Sequence, residues 1–321
     1  MKNKILIVSG DPNSINSEII FKSWKKLKVS TRKKIYIISN LNLLKSQFKK
    51  LNYKIKLLKV NNIHENIDTH MLKVLNVDLK FKNPFNVPIA AASKFIKKSL
   101  NHGHSLALKN DIKGLINCSI NKSLLSKNNI GVTEYLAKKC FVKNNSEVML
   151  ISNNKLAVSP ITTHIDINNV SNAINSKIIK NKIKTIQKWF MEKLNKQPKI
   201  AILGLNPHNS EFRLSSKEFK IIIPAIQTLK KEGTNINGPF SADTIFISDY
   251  KKYDVIVGMY HDQVLSPFKA LFKFDAINIT LGLKYLRVSP DHGTATDLIG
   301  KNKANPKSLI QSIKFINNFI K

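Results

Sequence analysis

Four of the eight histidines close short apolar runs: His164 in "SPITTHI", His208 in "ILGLNPHNSE", His261 in "VIVGMYHDQ" and His292 in "LRVSPDHGTATD". An imidazole at such a place can carry a proton or ligate a metal, and in open α/β sheets ligands collect beyond the carboxyl ends of strands. For one histidine taken singly, a capping or hydrogen-bonding role is the commoner reading. The recurrence of the same placement points instead to a site. Three neutral imidazoles leaving one position open make a typical catalytic divalent-metal centre, suited to Zn, Mg, Mn or Co. The remaining four, His64, His70, His102 and His104, lie in polar, unpatterned surroundings and read as surface residues.

The segment "FKALFKFDAINITLGLKYLRVSPDHGTATDLIG" holds the other chemically active groups. Lys269, Asn278 and Arg287 would form an anion- and hydroxyl-binding set if the fold brings them together. Arg287 is one of only three arginines and ends an apolar run, as bidentate capture of a carboxylate or phosphate requires. A surface arginine is the competing reading. Asp243, after the Gly-Pro turn of "GPFSADT", is either a helix N-cap or a base in the site. No GxGxxG, GxxxxGK[ST], GxSxG or HExxH occurs, so a standard Rossmann or P-loop nucleotide site has no motif behind it.

Positioning these groups falls to strands that alternate with helices. "KILIVSG" (4–10), "KIYIIS" (34–39), "YKIKLLKV" (53–60), "GLINCSI" (114–120), "KIAILGLNP" (199–207), "YDVIVGMY" and "AINITLGL" read as strands. "SEVMLIS" and "KLAVSPITTHI" read as two neighbours turning at Asn153-Asn154. Helical spacing covers 14–27, 89–101, "VTEYLAKKC", one long stretch from 168 to 195, and 306–320. Residues 61–88 carry no period and read as loop. Over 215–232 the spacing puts Phe219, Ile222, Ile223, Ile226 and Leu229 on one face, with a bend near Pro224. Alternation of this kind argues for an α/β protein with mainly parallel sheets flanked by helices. The 321 residues suit two domains, read as 1–127 plus 288–321 and a middle domain over 128–287.

Composition narrows the class further. Cys118 and Cys140 have no CxxC spacing, which excludes a disulfide scaffold or a cysteine zinc site. No apolar stretch approaches the ~20 residues that span a bilayer, and the start reads as a strand, so no membrane role and a cytoplasmic setting are expected. The net charge is +33, which raises nucleic-acid binding without catalysis as a reading of another class. Against it, the lysines are scattered and arginine, the residue preferred for phosphate and base contacts, is nearly absent. A drift of composition toward Lys, Asn and Ile accounts for the charge, and no specific nucleic-acid partner is expected.

Taken in order, "GDPNSINSEI", "GVTEYLA", "TTHI", "GLNPHNSE", "GPFSADT", "YHDQ", "NITLGL", "DHGTATDLIG" and "KANP" resemble the 4-hydroxythreonine-4-phosphate dehydrogenases of vitamin B6 biosynthesis over nearly the whole chain. The "DHGTATDLIGKNKANP" stretch is also similar to the cofactor loop of isocitrate and isopropylmalate dehydrogenases, an NAD-binding solution that needs no Rossmann fingerprint. The resemblance implies that His164, His208 and His261 hold one divalent metal ion, in a homodimer whose interface carries the site, so that the three need not come from one chain. Thr133, Lys269, Asn278 and Arg287 fall on substrate-contacting positions, Asp243 and Lys269 on catalytic ones. His292, Gly293, Thr294, Ala295 and Asp297 fall near the NAD or NADP. The implied reaction oxidises the C3 hydroxyl of 4-phosphooxy-L-threonine and releases CO2. Three departures stand out. Val132 replaces the usual His before the Thr of "GHTE"; Ser14 and Asn16 replace glycines; and "CSINK" replaces a Gly-Pro ahead of Asn/His-Lys. A relative acting on threonate or erythronate 4-phosphate is the alternative that Val132 favours.

Overall fold

The computed structural model describes residues 3–65, 67, 70–125, 131–142 and 146–319. The strands are β1 (Ile5–Val8), β2 (Ile35–Ser39), β3 (Leu57–Val60), β4 (Leu72–Asn76), β5 (Gly114–Asn117), β6 (Val148–Ser152), β7 (Ala157–Pro160), β8 (Ile200–Leu203), β9 (Ile236–Phe240), β10 (Val255–Gly258), β11 (Ile277–Leu281) and β12 (Arg287–Pro290). Most are short and β-branched and lie buried along their whole length, as strands covered on both faces must.

The chain divides into two compact units, one of Met1–Leu136 with Lys284–Phe319, the other of Ala137–Leu283. The boundary expected at 127/128 lies outside the described residues; Thr133 and residues 284–287 belong to the first unit. In the first unit the strand order is β3-β4-β2-β1-β5-β12, with every pairing parallel. Its core gathers Leu6, Val8, Ile38, Phe95, Leu100 and Leu115. In the second unit the order is β11-β6-β7-β10-β8-β9. There β6 runs antiparallel to β7 and β11, and the rest are parallel. Met149, Val158, Leu203, Ile256 and Phe268 lie in its core. The fold is therefore α/β with mainly parallel strands. Among the described residues no helix is long and apolar enough to cross a membrane.

Strands β9 and β12 and the helices Leu41–Lys50 and His261–Phe272 add to the expected elements, and four further departures each have a local reason. Residues 61–88 hold β4, which lies between β2 and β3. Its pattern is broken by Lys73, buried at 1% exposure. The Lys73 ammonium donates to Lys33 O at 2.5 Å and lies 4.1 Å from the Tyr36 ring centroid. The long helix expected over 168–195 is two, Ile167–Ala173 and Ser176–Leu194, because the Asn175 side chain accepts from Ile178 N and starts a new helix. Over 215–232 the face is Ile222, Ala225, Ile226 and Leu229, whereas Phe219 is exposed. A wide turn over Glu218–Ile222 rotates Phe219 away before the helix restarts with Pro224 in its first turn. Lastly, His104 is buried in the helix Ile89–Leu108, where its Nδ1 meets the Tyr285 hydroxyl at 2.9 Å.

Candidate active site

In the second unit, β7, β10 and β8 are adjacent and parallel. His164 follows β7, His261 follows β10 and His208 follows β8, so the topology brings three histidines to the carboxyl end of three neighbouring strands. Side-chain bonds tie these strand ends together. Thr162 Oγ1 donates to Met259 O at 2.8 Å. Met259 N donates to Gln263 Oε1 at 2.7 Å, and Gln263 Nε2 donates to Gly204 O at 2.8 Å. Gln263 thus joins the end of β10 to the end of β8. Its place in "YHDQ", two residues past His261, marks it in the sequence as a polar group at the strand end, but not as the link between the two strands.

His261 opens the helix His261–Phe272, and its Nδ1 meets Asp262 Oδ1 at 2.7 Å. A carboxylate on Nδ1 sets the tautomer that leaves Nε2 as the basic nitrogen, the usual support for a metal-bound imidazole. The His164 ring lies with its centroid 5.7 Å from that of His261, tilted by 41°. His164 and His261 are thus a pair, with donor atoms of the right kind for a divalent ion. Among the described residues no three His, Cys, Asp or Glu side chains come together as a metal-holding group, so His208 does not complete the pair within the chain.

His208 sits in a strained segment. His208, Asn209, Ser210, Glu211 and Phe212 all have φ between 46° and 55°. A left-handed conformation costs non-glycine residues roughly 1–2 kcal/mol each, so other contacts must hold it. Asn209 Nδ2 donates to Pro239 O at 3.2 Å, and Arg213 N to Ser210 O at 3.0 Å. From downstream, the buried Glu218 carboxylate accepts from Leu205 N at 2.9 Å and Asn206 N at 2.8 Å, just ahead of this segment. Burial would raise the Glu218 carboxyl, but these donors outweigh it and hold the group below its ordinary value. Strain maintained by surrounding structure is common at functional positions.

The other predicted groups of this unit are placed individually. Lys269 is exposed near the end of the helix His261–Phe272, and Asp243 is exposed within the short helix Ala242–Ile245. Ser241 occupies the N-cap position there, so Asp243 is not the cap. Asn278 lies on β11, with a buried Oδ1 that has no hydrogen-bond partner among the described residues.

In the first unit, Arg287 starts β12 and is 2% exposed. Its Nε donates to Asn117 Oδ1 at 2.7 Å and its Nη1 to Thr133 Oγ1 at 3.2 Å. Desolvation lowers the guanidinium to about 10, against the smaller raising effects of Tyr285 and Glu134. A buried guanidinium aligned by an amide and a hydroxyl is prepared for an anion. Sequence reading named Arg287 and Thr133 but missed Asn117, which ends "GLIN" at the tip of β5. Val132 packs against the apolar cluster of this unit. The residues Asn16 and Ser119, which stand where glycines or a Gly-Pro were expected, bond to each other. Asn16 Nδ2 donates to Ser119 O at 2.8 Å and Ser119 Oγ donates to Asn16 Oδ1 at 2.8 Å.

Beyond β12, between His292 and the helix Lys307–Asn318, the chain has one regular turn, Thr296–Leu298. His292 Nδ1 meets Gly293 O at 2.9 Å, while Nε2 is buried without a hydrogen-bond partner among the described residues. Desolvation lowers the His292 imidazole from its ordinary value. Ala295 is left-handed at φ 45°. Gly293 has open space where a Cβ would stand, and Asp297 is exposed. The unpartnered His292 Nε2 and the open space beside Gly293 suit a polar ligand lying along this segment.

Comparisons with known proteins agree with this organisation. The chain is 36% identical over 97% of its length to a 4-hydroxythreonine-4-phosphate dehydrogenase of Sulfurihydrogenibium sp. (strain YO3AOP1), covering 96% of that protein. It is 37% identical over its whole length to the Aquifex aeolicus protein of the same name, covering 99% of it. The crystal structure of a 4-hydroxythreonine-4-phosphate dehydrogenase from Klebsiella pneumoniae superposes with a TM-score of 0.84 at 28% identity, over 98% of this chain and 97% of that one. The model of the family described as "Pyridoxal phosphate biosynthetic protein PdxA" matches residues 31–316. With relatives of this identity spanning its full length, the chain belongs to the PdxA family.

Proposed function

We propose that the protein oxidises 4-phosphooxy-L-threonine at its C3 hydroxyl with NAD or NADP, and that the resulting β-keto acid loses CO2 to give 3-amino-2-oxopropyl phosphate. Family membership supports the substrate class. The observation that carries the chemistry is the pairing of His164 and His261, ring centroids 5.7 Å apart, past the carboxyl ends of the adjacent strands β7 and β10. His164 and His261 would hold one divalent ion (Zn, Mg, Mn or Co), with His208 supplied by a second copy in a homodimer. When bound, such an ion acidifies a hydroxyl and stabilises the negative charge left by decarboxylation, while the dinucleotide accepts hydride.

The chain's own residues have distinct tasks in this reading. Arg287, aligned by Asn117 and Thr133, would bind an anionic end of the substrate and fix the C3 carbon in place. Lys269 and Asn278 would contact its polar groups. Asp243 and Lys269 would move protons, taking the hydroxyl proton and returning one to carbon after CO2 departs. His292, Gly293, Thr294, Ala295 and Asp297 would contact the dinucleotide.

The test is purified protein with Mn or Zn, NAD or NADP, and 4-phosphooxy-L-threonine, following reduced nicotinamide and CO2 together. Equal release of both supports the reading. A second reading, oxidation of threonate or erythronate 4-phosphate, is favoured by Val132, which presents no hydrogen-bonding group where the resemblance calls for His. Turnover of those acids with silence on the amino substrate would establish it, and silence on all three would overturn both.

A further inference from the structure

The segment from Thr294 to Ala304 has left-handed residues at Ala295, Gly300 and Asn302 and little regular structure of its own. Something else must hold it still if a dinucleotide is to find it preformed. The helix Asn16–Lys26 and Tyr53 supply those contacts. Just before the helix, Ile15 N donates to Thr294 O at 3.2 Å. In the helix's first turn, Glu18 Oε1 accepts from Ala304 N at 2.6 Å. One turn on, Lys22 Nζ donates to Glu18 Oε1 at 2.7 Å, to Asn302 O at 2.9 Å and to Ala304 O at 3.1 Å. The Tyr53 hydroxyl donates to Asn302 Oδ1 at 2.5 Å, and its ring stacks on Phe21 of the same helix at 3.9 Å and 5°.

Glu18 is 1% exposed. Burying a carboxylate is costly unless it is paired and hydrogen-bonded, and its partners here are the Ala304 amide and Lys22. Five of these hydrogen bonds end on a single irregular segment, and all the residues lie in one unit. We infer that Glu18, Lys22 and Tyr53 form a clamp that preorganises the 294–304 segment for the dinucleotide. They are positioning residues that act on the ligand only through the backbone they hold. The inference rests on the assignment of this segment to NAD or NADP made above.

The test is titration of metal-free, substrate-free protein with NADH and NADPH by nicotinamide fluorescence, joined to steady-state kinetics. Tyr53→Phe keeps the stack on Phe21 and removes one bond. Lys22→Met removes the ammonium and keeps the stem. Each should weaken dinucleotide binding several-fold, and the double variant about tenfold or more, as expected for one to two lost hydrogen bonds. KM for the phosphorylated substrate should stay constant. Glu18→Gln, which keeps an acceptor for Ala304 N, should bind more tightly than Glu18→Ala. Variants that bind NADH and NADPH as the wild type does, even with lowered Tm, would overturn the clamp alone. A wild type that binds neither dinucleotide would overturn the assignment of the segment, and the clamp with it.

Discussion

Gln263 Nε2 donates to Gly204 O at 2.8 Å while Gln263 Oε1 accepts from Met259 N, so one amide spans the strand ends that lead to His261 and His208. The histidines are placed by this bond rather than by the loops alone. Gln263→Met should keep the volume but leave a buried N–H and C=O without this partner, costing about 1–3 kcal/mol. Metal affinity should fall about 10–100-fold, the range for loss of a group that supports metal ligands. Chemical denaturation and metal titration measure the two effects separately.

His261→Ala should abolish turnover with little loss of folding stability, since the side chain is only partly buried. Asp262→Asn should be milder, lowering metal affinity roughly tenfold by weakening the set of the imidazole tautomer. Elemental analysis of dialysed protein, with kcat beside it, checks both. Full activity in His261→Ala would remove it from the ligand set.

Arg287→Lys should lower kcat/KM by at least about a hundredfold, because an ammonium cannot reproduce the fork that Asn117 and Thr133 align. Asn117→Ala should act in the same direction and also cost stability, since it removes the acceptor from a buried Nε. Comparing KM with kcat in the two variants separates lost binding from lost alignment.

His292 gives a pH dependence with a defined sign. Burial lowers its folded-state pKa below the ordinary 6.5, so between those two values the unfolded chain binds more protons than the folded one. Its contribution to stability is therefore complete above 6.5 and is lost as the pH falls through the window below it. His292→Asn should flatten that part of the curve of unfolding free energy against pH, measured by urea denaturation in steps from neutral to mildly acid conditions.

Lys73 offers a test of a strand that its own charge conceals. Lys73→Met should cost less than about 1.5 kcal/mol, because the stem packing is kept. Lys73→Ala should cost about 2–4 kcal/mol through the cavity left beside Tyr36. Thermal unfolding of the two variants distinguishes packing from charge.

The sequence by itself determined the fold class, most of the strands and the candidate list. Buried parallel strands such as "ILIV" and "VIVG" are continuous apolar runs, and the polar group that ends each run is visible without coordinates. Periodicity fails where a buried side chain is polar. Lys73 hid β4 and His104 looked like a surface residue, because both satisfy their polar ends on groups distant in sequence, Lys33 O and Tyr285. The split of the 167–194 helices turned on one hydrogen bond that Asn175 accepts from Ile178 N, which no spacing reveals. Only the tertiary structure decided the strand order that sets β7, β10 and β8 side by side, because that order depends on pairing between residues 98 apart (Val255 with Ala157) and 55 apart (Val255 with Ile200). It alone decided that Arg287 finds Asn117 and Thr133, and that His164 pairs with His261 while His208 is held apart in a left-handed turn. Residue type records what a side chain can do; which partners it meets is set by packing and hydrogen bonding between segments that the sequence keeps apart.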